Sequence, residues 1–371
     1  MRYFLSTGEA SGELAATLLA RAITAIDGDA AFEGIGSNRM REAGVDLWRD
    51  NAGWASMGPL AAIPRIPALL ATMYRTAAHV RRTQPDAVVL VDFGAFNLRL
   101  AKRLRRLGYA KPILDLYPPA TWLDDPKRAR EVAGVATAIT AFEHQRDFYR
   151  SLGLPVQYFG HPLAGRYEMR PPRAAPAADG GTVALLPGSR SGELHYHVPV
   201  LLEAYARLKA RRPALRGVAG AADDRSEHSL RAAIARFGSA DIEVARGAIA
   251  ALRDADAAWV ASGTAVLETA LSGVPAAVLY VISPLLAGHA RRVYPGRHIA
   301  LPNLVLGREV VPEFLQERAT AENLERVMEG LLRDPFGQYA GLVDLRTALG
   351  PPDALARCAA FAVALAKSHR A

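Results

Sequence analysis

Three segments in the first half of the chain hold residues whose types and spacing can do chemistry. In STGEASGE (6–13) a short apolar strand gives way to glycine and serine where a helical pattern opens, so the backbone N–H groups of Gly8, Ser11 and Gly12 suit an anion. Glu9 and Glu13 would repel a phosphate there and suit a sugar hydroxyl or a proton transfer. The competing reading makes Ser11 a plain helix cap with Glu13 in the first turn. In VLVDFGAFN (89–97), Asp92 ends an apolar strand and Asn97 begins the next helix. A carboxylate at a strand end in a partly apolar pocket can be tuned to accept a proton, although it can equally cap its own helix. His161, between Gly160 and Pro162, can donate a hydrogen bond, act as a secondary base, or simply pack in a turn.

The second half carries two phosphate-type turns. LLPGSRSGE (185–193) reads as a strand, a tight turn at Pro187 and Gly188, then Ser189 and Arg190. Glycine lets the backbone approach a diphosphate, and a guanidinium can neutralise it bidentately. WVASGTAVLETALSGVP (259–275) places Ser262, Gly263 and Thr264 at a helix N-terminus, with Glu268 four residues past Thr264, where a carboxylate can accept from ribose hydroxyls. Asn303, Arg308, Glu309 and Gln316 punctuate the apolar stretch 301–317, which reads either as a site-lining loop and helix or as a solvated amphipathic helix. With no HExxH, no cysteine pair and no DxD, a dedicated metal site is disfavoured.

These turns need a scaffold, and the sequence supplies alternating strands and helices. RYFLST precedes SGELAATLLARAITAI, AVVLVD (87–92) precedes NLRLAKRLRRLG, and PILDLY (112–117) follows. After the Pro-, Ala- and Gly-rich stretch 168–182, which reads as a linker, the same grammar resumes through residue 283. The expectation is α/β: two Rossmann-like lobes, 1–170 and 182–350, with a last helix at 351–371 returning to the first, and ligand where strand carboxyl ends face each other. A chain of 371 residues, half of them hydrophobic and 22% charged, suits two folded domains. The net charge of +8 favours anionic partners without choosing among nucleotide phosphates, nucleic acid and anionic lipid. Cys358, the one cysteine, fits a reducing setting, and the opening residues lack a secretory pattern. Segment 52–73 is apolar but broken by Arg65 and three prolines, so it reads as a buried helix pair or a membrane-interface element rather than a span.

In chain order, GEASGE (8–13), GIGSNRMREAGVDLW (34–48), SMGPLAAIPRIP (56–67), PDAVVLVDFGAFNLRLAKRLRRLG (85–108), FGHPLA (159–164), LLPGSRSGE, ASGTAVLETALSGVP (261–275) and LPNLVLGREVVPEFLQ (301–316) resemble the lipid-A-disaccharide synthase family. The resemblance implies a GT-B fold, with the parallel sheets of two Rossmann-like lobes facing across a cleft. It also implies that UDP-2,3-diacylglucosamine is joined to 2,3-diacylglucosamine 1-phosphate, forming a β(1→6) disaccharide and UDP with inversion. By motif, Asp92 would be the base for the acceptor hydroxyl, with Glu9 and Ser11 beside it. Gly188, Ser189, Arg190, Ser262, Gly263, Thr264 and Glu268 would hold the donor, and Asn303, Arg308 and Gln316 would line the site. Met57, Ile63, Arg65, Ile66, Trp122 and His161 would serve the acceptor and the membrane. No cofactor, no metal and no nucleic acid is implied. The location implied is the cytoplasmic face of the inner membrane, held peripherally, with a homo-oligomer as a further option. The chain departs from the family at Glu13, at Ala95, where a second carboxylate is lost, and at YPPATWLDD (117–125), where Asp124 replaces a tryptophan. A relative using another UDP-sugar and lipid acceptor, a nucleotide-sugar 2-epimerase, and a non-catalytic UDP-sugar-binding partner are the other readings.

Overall fold

A computed structural model describes residues 1–51, 54, 66–118, 125–239, 241–284, 286–288 and 298–369. The chain forms two compact units, Met1–Arg166 with Leu349–Ala371, and Tyr167–Ala348. Residues 168–182 therefore fall within the second unit.

The first unit is a parallel sheet of β1 (Arg2–Ser6), β2 (Ala31–Gly36), β3 (Val45–Asp50), β4 (Ala87–Val91), β5 (Ile113–Leu116), β6 (Thr137–Thr140) and β7 (Gln157–Tyr158), in the order β3-β2-β1-β4-β5-β6-β7. Between the strands run α1 (Ala10–Ile26), α2 (Asn38–Arg41), α3 (Ile66–Thr83), α4 (Gly94–Arg106), α5 (Pro126–Ala133) and α6 (Glu143–Ser151). The central strands are apolar at nearly every position because both faces are covered. Tyr3, Leu5, Val89 and Val91 pack with Leu19 and Ile23 of α1 and with Ala359, Ala362 and Val363 of the last helix, Ala354–Ser368. Phe4, Val88 and Leu90 point the other way, onto Met73 and Val80 of α3 and Leu100 and Leu104 of α4. Cys358 is buried in the first of these layers.

The second unit repeats the plan with β8 (Gly180–Leu186), β9 (Ala214–Ala221), β10 (Ile242–Arg246), β11 (Ala257–Ala261), β12 (Ala276–Tyr280) and β13 (Glu313–Leu315), ordered β10-β9-β8-β11-β12-β13. Its helices are α7 (Ser191–Arg211), α8 (Asp224–Phe237), α9 (Ala248–Leu252), α10 (Thr264–Leu271), α11 (Leu301–Leu306), α12 (Ala321–Arg333) and α13 (Tyr339–Ala348). Trp259 of β11 is fully buried, and its indole N–H donates to the Leu324 carbonyl of α12 at 3.0 Å. In each unit the first strand lies between the second and the fourth, so the order reverses there. At such a reversal the connections leaving the two adjacent strands turn to opposite faces of the sheet, and this is where α/β folds of this kind bind ligands.

Candidate active site

In the first unit the reversal falls between β1 and β4, whose Ser6 and Leu90 are paired. STGEASGE leaves β1 and DFGAFN leaves β4, so the two segments meet. Ser11 lies in the first turn of α1, and its hydroxyl donates to Asp92 Oδ2 at 3.3 Å. It is not the helix cap; Glu9 holds that place, with extended backbone and no capping bond from its side chain. Glu13 is buried and accepts from the Ser37 hydroxyl at 2.5 Å, which fixes the loop after β2.

Asp92 and Phe93 both take left-handed backbone, at φ 53° and 48°. For residues with a Cβ this costs roughly 1–2 kcal/mol each. Asn97 offsets it from within α4, donating to the Asp92 carbonyl at 2.7 Å and the Ser6 carbonyl at 3.2 Å while accepting from the Ser6 hydroxyl at 2.7 Å. The Phe93 N–H donates to Asp92 Oδ1 at 2.7 Å, and its ring lies against Gly8, where a Cβ would overlap the ring. Ring packing and hydrogen bonds together hold the Asp92 carboxylate beside Ser11.

Two further titratable groups of this unit are buried. Asp115 of β5, paired with Leu90, is buried with Oδ1 unbonded. Burial chiefly, then the nearby Asp92 charge, pushes its carboxyl up to about 8 against the opposing pull of Arg128. Sequence reading passed over it as one polar residue in an apolar strand. His161 is buried beside Tyr117 and Phe142, and burial pushes its imidazole down to about 3. Its Nδ1 accepts from the Leu163 N–H at 3.2 Å, so the neutral ring carries its hydrogen on Nε2 and can donate from there.

In the second unit the reversal falls between β8 and β11, with Leu186 beside Val260. The turn 187–190 leaves β8 and enters α7, and the turn 262–263 leaves β11 and enters α10. Gly188 has φ 104°, a left-handed value that favours glycine. Arg190 is 41% exposed. The Ser189 and Arg190 N–H groups both donate to Glu193 Oε2, at 3.0 and 3.2 Å. Ser262 donates from its hydroxyl to the Ile299 carbonyl at 3.0 Å, and Gly263 and Thr264 open α10. Glu268 accepts from the Tyr167 hydroxyl at 2.5 Å. Neither Glu193 nor Tyr167 was singled out from sequence. The signal for Glu193 was its place three residues into a helix opened by Arg190.

The three expected lining residues already have partners within the second unit. Asn303 is buried with its amide saturated: it donates to the Val311 carbonyl and Glu313, and accepts from the Val310 and Val311 N–H groups. It shapes the chain around Glu313 and keeps no hydrogen-bonding capacity for a ligand. Arg308 is exposed and pairs with Asp344 at 2.5 Å. The Gln316 amide pairs with the N–H and C=O of Ile282, at 3.1 and 3.2 Å, beside the end of β12. Met57, Ile63, Arg65 and Trp122 lie outside the described residues, as do Asp124 and most of segment 52–65. Ile66 begins α3 and is 47% exposed, in a row with Leu70 and Tyr74. Among the described residues no three His, Cys, Asp or Glu side chains group as metal ligands.

Two doubly wound units, each with a glycine- and hydroxyl-bearing turn pair at its strand-order reversal, define a GT-B protein. The fold is shared with the UDP-GlcNAc 2-epimerase of Neisseria meningitidis bound to UDP-GlcNAc (TM-score 0.64, 11% identity, 98% of this chain and 100% of that one). It is also shared with MurG of Acinetobacter baumannii (TM-score 0.57, 14% identity, 97% and 98%). The chain belongs to the lipid-A-disaccharide synthetase family, whose model matches residues 3–335. It is 33% identical over 371 residues to the lipid-A-disaccharide synthase of Syntrophus aciditrophicus, covering 97% of this chain and 96% of that protein. The corresponding enzyme of Myxococcus xanthus is 35% identical over 372 residues, with 96% of each covered. The chain is accordingly a glycosyltransferase.

Proposed function

We propose that the protein transfers a diacylglucosaminyl group from its UDP donor to the 6-hydroxyl of 2,3-diacylglucosamine 1-phosphate, releasing UDP. The observation that carries this reading is the meeting of Ser11 and Asp92 at the first unit's strand-order reversal, in a chain of this family. Asp92 takes the proton as the acceptor oxygen attacks the anomeric carbon. That C–O bond forms as the bond to the diphosphate breaks, and the configuration inverts. In the second unit, Arg190 and the α10 N-terminus, with Ser262, Gly263 and Thr264, balance the charge on departing UDP, while Glu268 accepts from the ribose. Glu9 and the Nε2–H of His161 serve acceptor hydroxyls.

The same reading puts the protein at the cytoplasmic membrane surface. No helix among the described residues is long and apolar enough to cross a membrane. The exposed Ile66, Leu70 and Tyr74 on α3, with the Arg103 guanidinium 5.3 Å from the Tyr74 ring, support interfacial docking on anionic lipid. Purified protein given the UDP donor should release UDP only when the acylated acceptor phosphate is added. Equal release with and without acceptor would overturn the proposal.

A further inference from the structure

Helix α7 turns two side chains, one helical turn apart, back onto the loop that precedes it. Glu193 receives the Ser189 and Arg190 N–H groups on Oε2, at 3.0 and 3.2 Å, and the Arg190 guanidinium on Oε1 at 2.8 Å. His197 is fully buried; its Nδ1–H donates to the Pro187 carbonyl at 2.8 Å, and its Nε2 accepts from the Val281 N–H at 2.9 Å. That fixes one neutral tautomer, acting as donor and acceptor at once. Val281 directly follows β12, and the next residue, Ile282, carries the Gln316 pairing, so the loop after β8 is laced to the ends of β12 and β13. Gly188 belongs to the same arrangement: a Cβ there would overlap Glu193 Oε2.

We propose that Glu193 and His197 are positioning residues for the donor diphosphate, acting through Arg190 and the loop 187–190 rather than by touching the ligand. Glu193 takes up the loop amides that would otherwise form the anion cradle and orients the guanidinium; His197 sets the loop's height against the sheet. Diphosphate recognition at this turn then depends on the arginine side chain rather than on backbone N–H groups. This rests on the donor-site reading above.

The test is a double-mutant cycle read as UDP affinity by calorimetry, with thermal melting to verify folding. Glu193→Gln keeps the size and one acceptor oxygen but removes the charge that orients Arg190, and should weaken UDP binding about tenfold. Arg190→Ala should weaken it at least as much, and the double variant should match Arg190→Ala alone, because Glu193 acts through that side chain. His197→Ala should raise the donor KM with kcat little changed, and His197→Gln, whose amide can both donate and accept, should restore part of the loss. Additive effects of Glu193→Gln and Arg190→Ala, or unchanged UDP affinity in a folded Glu193→Gln protein, would overturn the inference while leaving the donor site standing. A wild-type protein that fails to bind UDP would overturn the donor-site reading and this inference with it.

Discussion

At the scale of single residues the account depends on Asp92. Its carboxylate is aimed by the Ser11 hydroxyl and the Phe93 N–H, and its strained backbone is held by Asn97. Asp92→Asn preserves shape and most of these bonds but cannot take a proton, so turnover should fall by about 10²–10⁴-fold with donor KM nearly unchanged. Full turnover by the Asp92→Asn enzyme in a steady-state assay would remove Asp92 from the mechanism. Asp115 makes a separate prediction. Its carboxyl titrates near 8 in the fold and near its ordinary 3.8 in the unfolded chain, so between those values the folded state keeps a proton that the unfolded chain has lost. Stability should therefore decline as pH rises through that window and level off above it. Asp115→Asn has no proton to lose, so melting curves should show its stability gaining on wild type by about 1 kcal/mol or more between about pH 5 and pH 8.5. A pH-independent difference would mean that Asp115 is not held neutral. The position of Asp92 was legible, because a carboxylate closing an apolar run marks the carboxyl end of a buried strand. Asp115 was not, because nothing in ILDL distinguishes a buried acid from one at a solvated edge.

At the scale of elements, glycine-bearing turns after apolar strands were readable because few residue types allow those backbones, and such turns fall at both strand-order reversals. The strands AVVLV and AAWVA were plain from continuous apolar runs, whereas VDLWRD, QY and EFL are short or half polar and carry no comparable signal. Side chains that return to a loop from a following helix were also hidden. Glu193 and His197 look like ordinary helix residues until tertiary packing brings β12 alongside. The reverse happened at Asn303, a polar residue in an apolar stretch that reads as site-lining and instead saturates its amide inside the unit. The Gly188 turn tests this level directly. Gly188→Ala forces a left-handed backbone on an alanine and drives its Cβ into Glu193. The variant should lose about 1–2 kcal/mol of stability by thermal melting and bind UDP about tenfold more weakly. Unaltered UDP affinity would detach the glycine from donor binding.

At the scale of the whole molecule, the two-unit plan was readable from repeated strand–turn–helix grammar, and family membership from motifs spread over most of the chain. The proposed membrane face was only partly readable, since prolines 59, 64 and 67 interrupt the apolar pattern around the start of α3. Ile66 and Leu70 stand one turn apart and are 47% and 38% exposed, forming with Tyr74 an apolar row that a lipid surface would bury. The paired change Ile66→Asp and Leu70→Asp should cut co-sedimentation with anionic vesicles several-fold while leaving the melting temperature nearly unchanged. Undiminished co-sedimentation would remove α3 from the proposed membrane contact. The central claim is the reaction itself, and mass spectrometry of the lipid product tests it most directly. Purified protein incubated with UDP-2,3-diacylglucosamine and 2,3-diacylglucosamine 1-phosphate should yield one tetra-acylated disaccharide monophosphate per UDP released, with a β(1→6) linkage by NMR. UDP accumulating with no disaccharide, or the donor returned as its 2-epimer, would contradict the account.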